Sequence, residues 1–306
     1  MRFLSTTAVA WAGSLFFFNA AALPTHHARA VTPVSSADLA GLAPYTQFAR
    51  AAYCDPSKTA NWSCGEACSA NAGFQTALTG GDGDATQYYF VGYWPSQNAV
   101  VVAHQGTDPT QFLSDETDID IPMTNLDSSL FPGVASSVLV HEGFANEHAL
   151  TAAQILTTTK NLISQKGATS VITVGHSLGG ALAELDALFM TLNLPSNIHV
   201  KSVTYGTPRV GNPDYASLFD GKVPDFKRVN NEKDPIPIVP GRFLGFQHPH
   251  GEVHIVQPGE AVSCPGDDDA TDSQCTIETV PNITEGNILN HLGPYEGIYI
   301  GTIFCT

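Results

Sequence analysis

Gly175-His176-Ser177-Leu178-Gly179-Gly180-Ala181 is the stretch of this 306-residue sequence whose residue types and spacing suit covalent chemistry. It follows a short apolar run, Ser170–Val174, and leads into Ala181–Leu194, whose apolar spacing is helical. A serine held at a sharp strand-to-helix turn has its Oγ lifted above the sheet edge. So tight a turn excludes bulky side chains two residues to either side, where Gly175 and Gly179 stand. The N–H of Leu178, at the start of the helix, then points where a developing oxyanion would sit. A serine nucleophile also needs a base and a group that orients the base. Among the later carboxylates, Asp234 follows the strand-like run Phe226–Asn230 in Val229-Asn230-Asn231-Glu232-Lys233-Asp234-Pro235, and a loop at a strand end can carry a catalytic group. An Asp before Pro is equally an ordinary turn former. Four histidines come after it. His248 and His250 flank Pro249 and read as surface-loop residues. His254 falls in an alternating strand, where a half-buried structural histidine is expected, and His291 lies in a loop before the last apolar run. His176 reads as a packing residue behind the serine.

The elements that must hold these residues alternate along the chain. Ser36–Tyr53 has helical apolar spacing, and a polar, Cys- and Gly-rich stretch follows to about Gly83. Gln87–Trp94 and Asn98–His104 are rich in Val, Tyr and Phe and are joined at Pro95-Ser96, which predicts a hairpin. Leu139–Gln165 reads as a helix stopped by Gly167. Ser170–Val174 suits a strand covered on both faces, and His199–Tyr205, Phe226–Asn230 and Glu252–Gln257 supply further strands. Strand and helix alternating across short joints predict an α/β layer fold. With no flexible linker, repeat or low-complexity block, one catalytic domain over 31–306 is the economical division.

Composition narrows the partners. The formal charge is −16, from 13 Lys+Arg against 29 Asp+Glu, and 43% of residues are hydrophobic. That apolar share supports a packed core, while the negative field argues against nucleic acid or an anionic membrane surface. Arg2, the apolar run Ala8–Phe18 and the small residues Asn19-Ala20-Ala21-Ala22 predict a secretory signal peptide over 1–22, with a short pro-segment over 23–30. No later run approaches the about eighteen apolar residues of a membrane span, so no stable insertion is expected. The secreted setting suits six cysteines, Cys54, Cys64, Cys68, Cys264, Cys275 and Cys305, as three disulfides with the pairing open. Cys64 and Cys68 lack a matching second ligand pair, and Asp267-Asp268-Asp269 lacks a calcium-loop spacing and reads as a solvated loop, so no metal is expected. Asn61-Trp62-Ser63 and Asn282-Ile283-Thr284 are glycosylation sequons.

From about Leu39 to the C-terminus the sequence resembles the fungal secreted class 3 lipases, which have the α/β-hydrolase fold. The resemblance rests on Gly175–Ala181, on Val203-Thr204-Tyr205-Gly206-Thr207-Pro208-Arg209-Val210-Gly211-Asn212, and on His141-Glu142-Gly143-Phe144 before the helix that precedes the serine. It implies a mostly parallel central sheet flanked by helices, with a lid segment. It implies Ser177, Asp234 and His291 as the triad, with His254 as the fallback base. It also implies that Thr107, in Gln105-Gly106-Thr107 after the strand Asn98–His104, shares the oxyanion hole with Leu178. The family usually carries Arg where Gln105 stands, which leaves open what neutralises the neighbours here. Cys54–Cys305 would tie the N-terminal helix to the C-terminus as in that family, with Cys64–Cys68 and Cys264–Cys275 closing short loops.

The expected activity is therefore a secreted serine ester hydrolase, a lipase acting on acylglycerols, with no cofactor and with a lipid or small ester as its partner. A feruloyl or other small-ester esterase on the same fold is the alternative. A non-catalytic binding protein on a lipase scaffold is a more distant one, since all three triad positions are filled. The expected lid, Asp108–Asp120, is acidic at Asp108, Asp115, Glu116, Asp118 and Asp120, and its large apolar residues are Phe112, Leu113 and Ile119. That composition predicts weak interfacial activation, or else a fixed acidic loop.

Overall fold

Val100 and Val102 enter one apolar cluster while Val101 and Ala103, the alternate residues of the same strand, enter another, and all four are fully buried. A strand with two buried faces belongs inside a doubly covered sheet, and the computed structural model shows one. It describes residues 30–115, 121–268 and 271–305. The expected signal peptide, and the expected pro-segment as far as residue 29, lie outside the described residues, as do 116–120 of the expected lid.

In chain order the elements are β1 (Thr32–Pro33), α1 (Ser36–Ala40), α2 (Ala43–Ala51), α3 (Pro56–Ala60), α4 (Gly65–Ala70), β2 (Gln75–Gly80), β3 (Tyr89–Trp94), β4 (Ala99–His104) and α5 (Pro109–Asp115). Then come β5 (Met123–Asn125), β6 (Leu139–His141), α6 (Glu142–Lys166), β7 (Ser170–His176), α7 (Leu178–Asn193), β8 (His199–Tyr205), α8 (Pro213–Lys222) and β9 (Asp225–Asn231). The last are β10 (Glu252–Gln257), β11 (Glu260–Ser263), α9 (Thr276–Thr279) and α10 (Ile288–His291). Among the described residues the main sheet has nine strands in the order β1-β11-β10-β9-β8-β7-β4-β3-β2. Its centre, β4-β7-β8-β9-β10, is parallel, and antiparallel strands finish both margins. The α/β fold with a largely parallel central sheet is thus present.

Helices α6, α7 and α8 cover one face, and α7 is buried from Gly179 to Met190 because it lies between the sheet and the α6 layer. On the other face Phe48, Phe74, Phe90 and Trp94 pack edge to face or tilted. Each such ring removed from water contributes about 1.5–3 kcal/mol.

Several boundaries differ from expectation for local reasons. The helix expected over Ser36–Tyr53 is divided at Gly41-Leu42, and Pro44 stands in the first turn of the second piece, where its missing N–H costs nothing. The helix expected from Leu139 begins at Glu142: Leu139–His141 pairs with β5 instead, and the His141 ring nitrogen accepts from the Phe144 N–H as the N-cap. The same ring stacks on Phe144 at 3.9 Å, which accounts for the His-Glu-Gly-Phe block. Gly167 ends α6 in the left-handed region (φ 68°). The polar, Cys- and Gly-rich stretch before Gly83 contains α3, α4 and the edge strand β2. Disulfides join Cys54 to Cys305, Cys64 to Cys68, and Cys264 to Cys275.

Candidate active site

Ser177 closes the turn between β7 and α7 with φ 59° and ψ −133°, a conformation that costs a non-glycine residue about 1–3 kcal/mol. The turn is too close for side chains: a Cβ on Gly175 would stand 1.9 Å from the Gly179 carbonyl oxygen. Leu178 is the first residue of α7, so its N–H is among the donors a helix leaves unpaired at its start.

The acid comes from the loop after β9, and the base, expected in a loop, is the last residue of the short helix α10. Asp234, three residues beyond β9, accepts from the Ile236 N–H at 2.9 Å through Oδ1 and meets His291 Nδ1 at 2.8 Å through Oδ2. Both side chains are buried. A carboxylate only accepts, so Nδ1 carries the hydrogen and, in the neutral ring, Nε2 is left with its lone pair. Glycine is required beneath this pair, since a Cβ on Gly206 would fall 2.7 Å from both Asp234 Oδ2 and His291 Nδ1. The loop and the helix are tied along their length. Asn231 donates to the Asn290 carbonyl at 2.9 Å, Asn290 to Glu232 at 2.7 Å, and the Asn287 N–H to the Lys233 carbonyl at 2.7 Å. Ser177 Oγ and His291 Nε2 are each buried without a hydrogen-bond partner. They are a donor and an acceptor both left open, and the ring of His176, the residue before the serine, lies 4.3 Å from that of His291; nucleophile–base bonds commonly tighten only when substrate arrives.

Thr107 follows β4 beside this centre. Gln105 is buried, its Oε1 accepting from the Tyr88 N–H at 2.9 Å while its own N–H donates to the Tyr88 carbonyl at 2.8 Å. A neutral amide therefore pins the turn, and no cation is needed at that position. Asp108, the nearest carboxylate in sequence, is satisfied by the first turn of α5. The Thr110 hydroxyl and the Gln111 and Thr110 N–H groups hold it below its ordinary pKa. A hollow of about 310 Å³ adjoins the turn, walled by Tyr53, Thr107, Pro109, Leu289, Leu292 and Ile303. Ser177 itself has no exposed surface. In α5, Phe112 is buried and stacks on Phe144, with ring centroids 6.2 Å apart.

The other residues singled out from the sequence have structural settings. His254 is fully buried rather than half-buried, and its ring nitrogens face the carbonyls of Glu232, at 2.8 Å, and Gln274. His248 is not a surface residue: it is buried, with Nε2 on the Pro237 carbonyl at 2.8 Å. His250 is part-buried against Asp220. Nor is the acidic run wholly solvated. Asp268 is buried against the Arg209 guanidinium, which also donates to the carbonyls of Ile238 and Pro240, so Arg209 anchors the loop after Asp234. Asp269 lies outside the described residues. Asn212, from the same sequence block, caps α8. Asn61 and Asn282 are both exposed.

Two polar groupings left no local signal in the sequence. His176 is hydrogen-bonded rather than merely packed, with Nδ1 2.7 Å from the Tyr53 hydroxyl and Nε2 2.7 Å from the His291 carbonyl. On the helical face, His104 at the end of β4 and His148 of α6 converge on Asp186 of α7 at 2.7 and 3.0 Å. Burial pushes Asp186 up, but these two hydrogen bonds and the imidazole charges outweigh it and hold the carboxyl at about 2.

A family model described as "Lipase (class 3)" matches residues 101–244. A secreted mono- and diacylglycerol lipase of Malassezia globosa is 31% identical over 229 residues, 74% of this chain and 72% of that protein. A second from the same organism is 34% identical over 178 residues, and there the match spans 58% of each chain. Among solved structures, the Rhizomucor miehei lipase propeptide complex superposes with a TM-score of 0.77 at 26% identity, covering 90% of this chain and 85% of that one. A triacylglycerol lipase whose catalytic centre is a serine protease triad superposes with a TM-score of 0.74 at 25% identity, covering 90% and 100%.

Proposed function

The chain belongs to the class 3 lipase family, and from that premise we propose that it is a secreted serine lipase that hydrolyses acylglycerols through an acyl-enzyme, with Ser177, His291 and Asp234 as its triad. The observation that carries the reading is the buried 2.8 Å bond from Asp234 to His291, which leaves Nε2 as the free base beside a strained serine turn. Ser177 Oγ attacks the ester carbonyl as its proton passes to Nε2, and the tetrahedral oxyanion is held by the N–H groups of Thr107 and Leu178. His291 returns the proton to the leaving glycerol oxygen. Water, deprotonated by the same nitrogen, then releases the fatty acid. Asp234 keeps the imidazole in the tautomer both steps require. No step calls for a cofactor.

The substrate class follows the relatives, which are mono- and diacylglycerol lipases, and the apolar hollow beside Thr107 suits an alkyl chain. Of the expected lid, α5 and the Asp108 turn before it are the part we assign to the cover over the serine, since Asp108, Pro109 and Thr110 line the hollow beside Thr107. Secretion is supported by the secreted relatives and by three disulfides, which persist in oxidising compartments. No described helix is long and apolar enough to cross a membrane. Asn61 and Asn282, exposed in their sequons, are the proposed glycan sites.

The test compares the protein and Ser177→Ala on dispersed mono-, di- and triacylglycerols and on soluble feruloyl esters. The expected result is acylglycerol hydrolysis that falls by on the order of 10⁴ or more in the variant. Activity kept within about tenfold would place the nucleophile elsewhere. A preference for the feruloyl esters would move the substrate class.

A further inference from the structure

Four buried groups behind the serine form a continuous hydrogen-bonded chain that the triad chemistry does not use. The Tyr53 hydroxyl is 2.7 Å from His176 Nδ1, His176 Nε2 is 2.7 Å from the His291 carbonyl, and the Tyr295 hydroxyl donates to that carbonyl at 3.1 Å. Tyr53, His176, Tyr295 and His291 are all buried. The Gly106 N–H lies against the Tyr53 hydroxyl as well, so the chain begins at the turn carrying Thr107 and ends on the backbone of the base.

Donor and acceptor roles along it are determined. The His291 carbonyl only accepts, so Nε2 of His176 must carry a hydrogen. His176 is neutral, since burial and then the neighbouring His291 hold its pKa well below the ordinary histidine value. Its Nδ1 is therefore bare, and the Tyr53 hydroxyl donates to it. Tyr53 keeps its proton, because burial raises its pKa. A ring with the other tautomer would turn a lone pair onto the His291 carbonyl and repel it.

We propose that Tyr53 and His176 are positioning residues for the reaction: the Tyr53 hydroxyl selects the Nε2–H tautomer of His176, and that N–H fixes the His291 backbone so that its imidazole stays within reach of Ser177. The inference rests on the proposed triad. Rigid neighbours support the assignment. Tyr53 is followed at once by the Cys54–Cys305 disulfide, and the rings of His176 and His291 are tilted against each other at 4.3 Å. Small displacements of a base are costly, about a hundredfold for about 1 Å.

Glutamine and asparagine separate positioning from packing. The side-chain nitrogen of Gln overlays Nε2 of a histidine and can still donate to the His291 carbonyl, whereas Asn reaches only as far as Nδ1. With p-nitrophenyl butyrate as the soluble probe, His176→Gln should keep kcat within about tenfold of the parent, and His176→Asn should lose about a hundredfold in kcat with KM little changed. Tyr53→Phe should fall between them, again in kcat, because the ring and its packing remain while tautomer selection is lost. Thermal melts identify any variant that fails to fold, in which case Tyr53→Phe decides alone. Equal kcat for the Gln and Asn variants, or a Tyr53→Phe enzyme with parental kcat, would overturn the proposal. Ser177→Ala and His291→Ala, assayed alongside, distinguish the failures: activity in those two refutes the triad itself, and their inactivity beside an unaffected His176→Asn refutes only the positioning role.

Discussion

Glu184 and Asp186 stand two residues apart on α7, both fully buried, and their protons behave in opposite ways. Asp186 has two imidazoles as donors and is held at about 2. Glu184 has no comparable donors, and burial raises it to about 8; the neighbouring Tyr215 hydroxyl and the Arg228 charge offset that only in part. The folded chain therefore keeps a proton on Glu184 over a range where the unfolded chain, near the ordinary value of 4.5, has lost it. Stability from this residue is complete below that ordinary value and declines as pH rises through about 8, at about 1.4 kcal/mol for each unit of difference. Glu184→Gln should remove the decline. Urea unfolding at pH 5 and pH 9 should show the variant gaining on the parent by a few kcal/mol at the higher pH, and parallel losses in both proteins would refute the assignment.

Among the elements, α5 is the described part of the proposed cover over the serine. Its first turn is capped by Asp108, and Phe112 is already committed inward against Phe144, so it cannot meet an oil surface without leaving that stack. Of the two other large apolar residues counted toward the cover, Leu113 packs partly against the same core and Ile119 lies outside the described residues. An apolar side chain moved onto lipid yields about 1.5–3 kcal/mol, so this helix has little to gain from an interface, and its carboxylates oppose an anionic one. Across the solubility limit of a short-chain triglyceride the rate should rise smoothly. A jump of more than about tenfold at the limit would mean that a larger apolar face is uncovered than three residues can supply.

At the scale of the whole molecule, the Cys54–Cys305 bond joins residues 251 apart and closes nearly the entire domain. In the chain-entropy relation, cross-linking so long a loop removes unfolded-chain entropy worth about 5 kcal/mol. In the folded state the same two segments are also held by Arg50, which donates to the Phe304 carbonyl at 2.7 Å, and by Thr46, which donates to Glu296 at 2.8 Å. Replacing both cysteines by alanine should therefore lower the denaturation midpoint strongly yet leave ester hydrolysis at 25 °C largely intact. A variant that keeps its midpoint would show that the link constrains little, and one that folds fully but is inactive would show that it sets the site's geometry rather than the domain's stability.

The serine turn, the doubly buried strand before it, the hairpin at β3–β4 and the Gly167 helix stop were legible in the sequence, because each is dictated by neighbours within a few residues: glycines where no Cβ fits, alternation of period two, a left-handed cap. The α/β order was legible for the same reason. Asp234 and His291 are 57 residues apart. Position alone left Asp234 a turn former and His291 one of four histidines, and resemblance to a family, not local chemistry, selected them. What only the tertiary structure decided is which polar groups lose water. Burial turned His248 and Asp268 from loop residues into anchors and put His176 between Tyr53 and the base. Desolvation and hydrogen-bond partners depend on what the chain brings together across the sheet, and no spacing along the sequence encodes that.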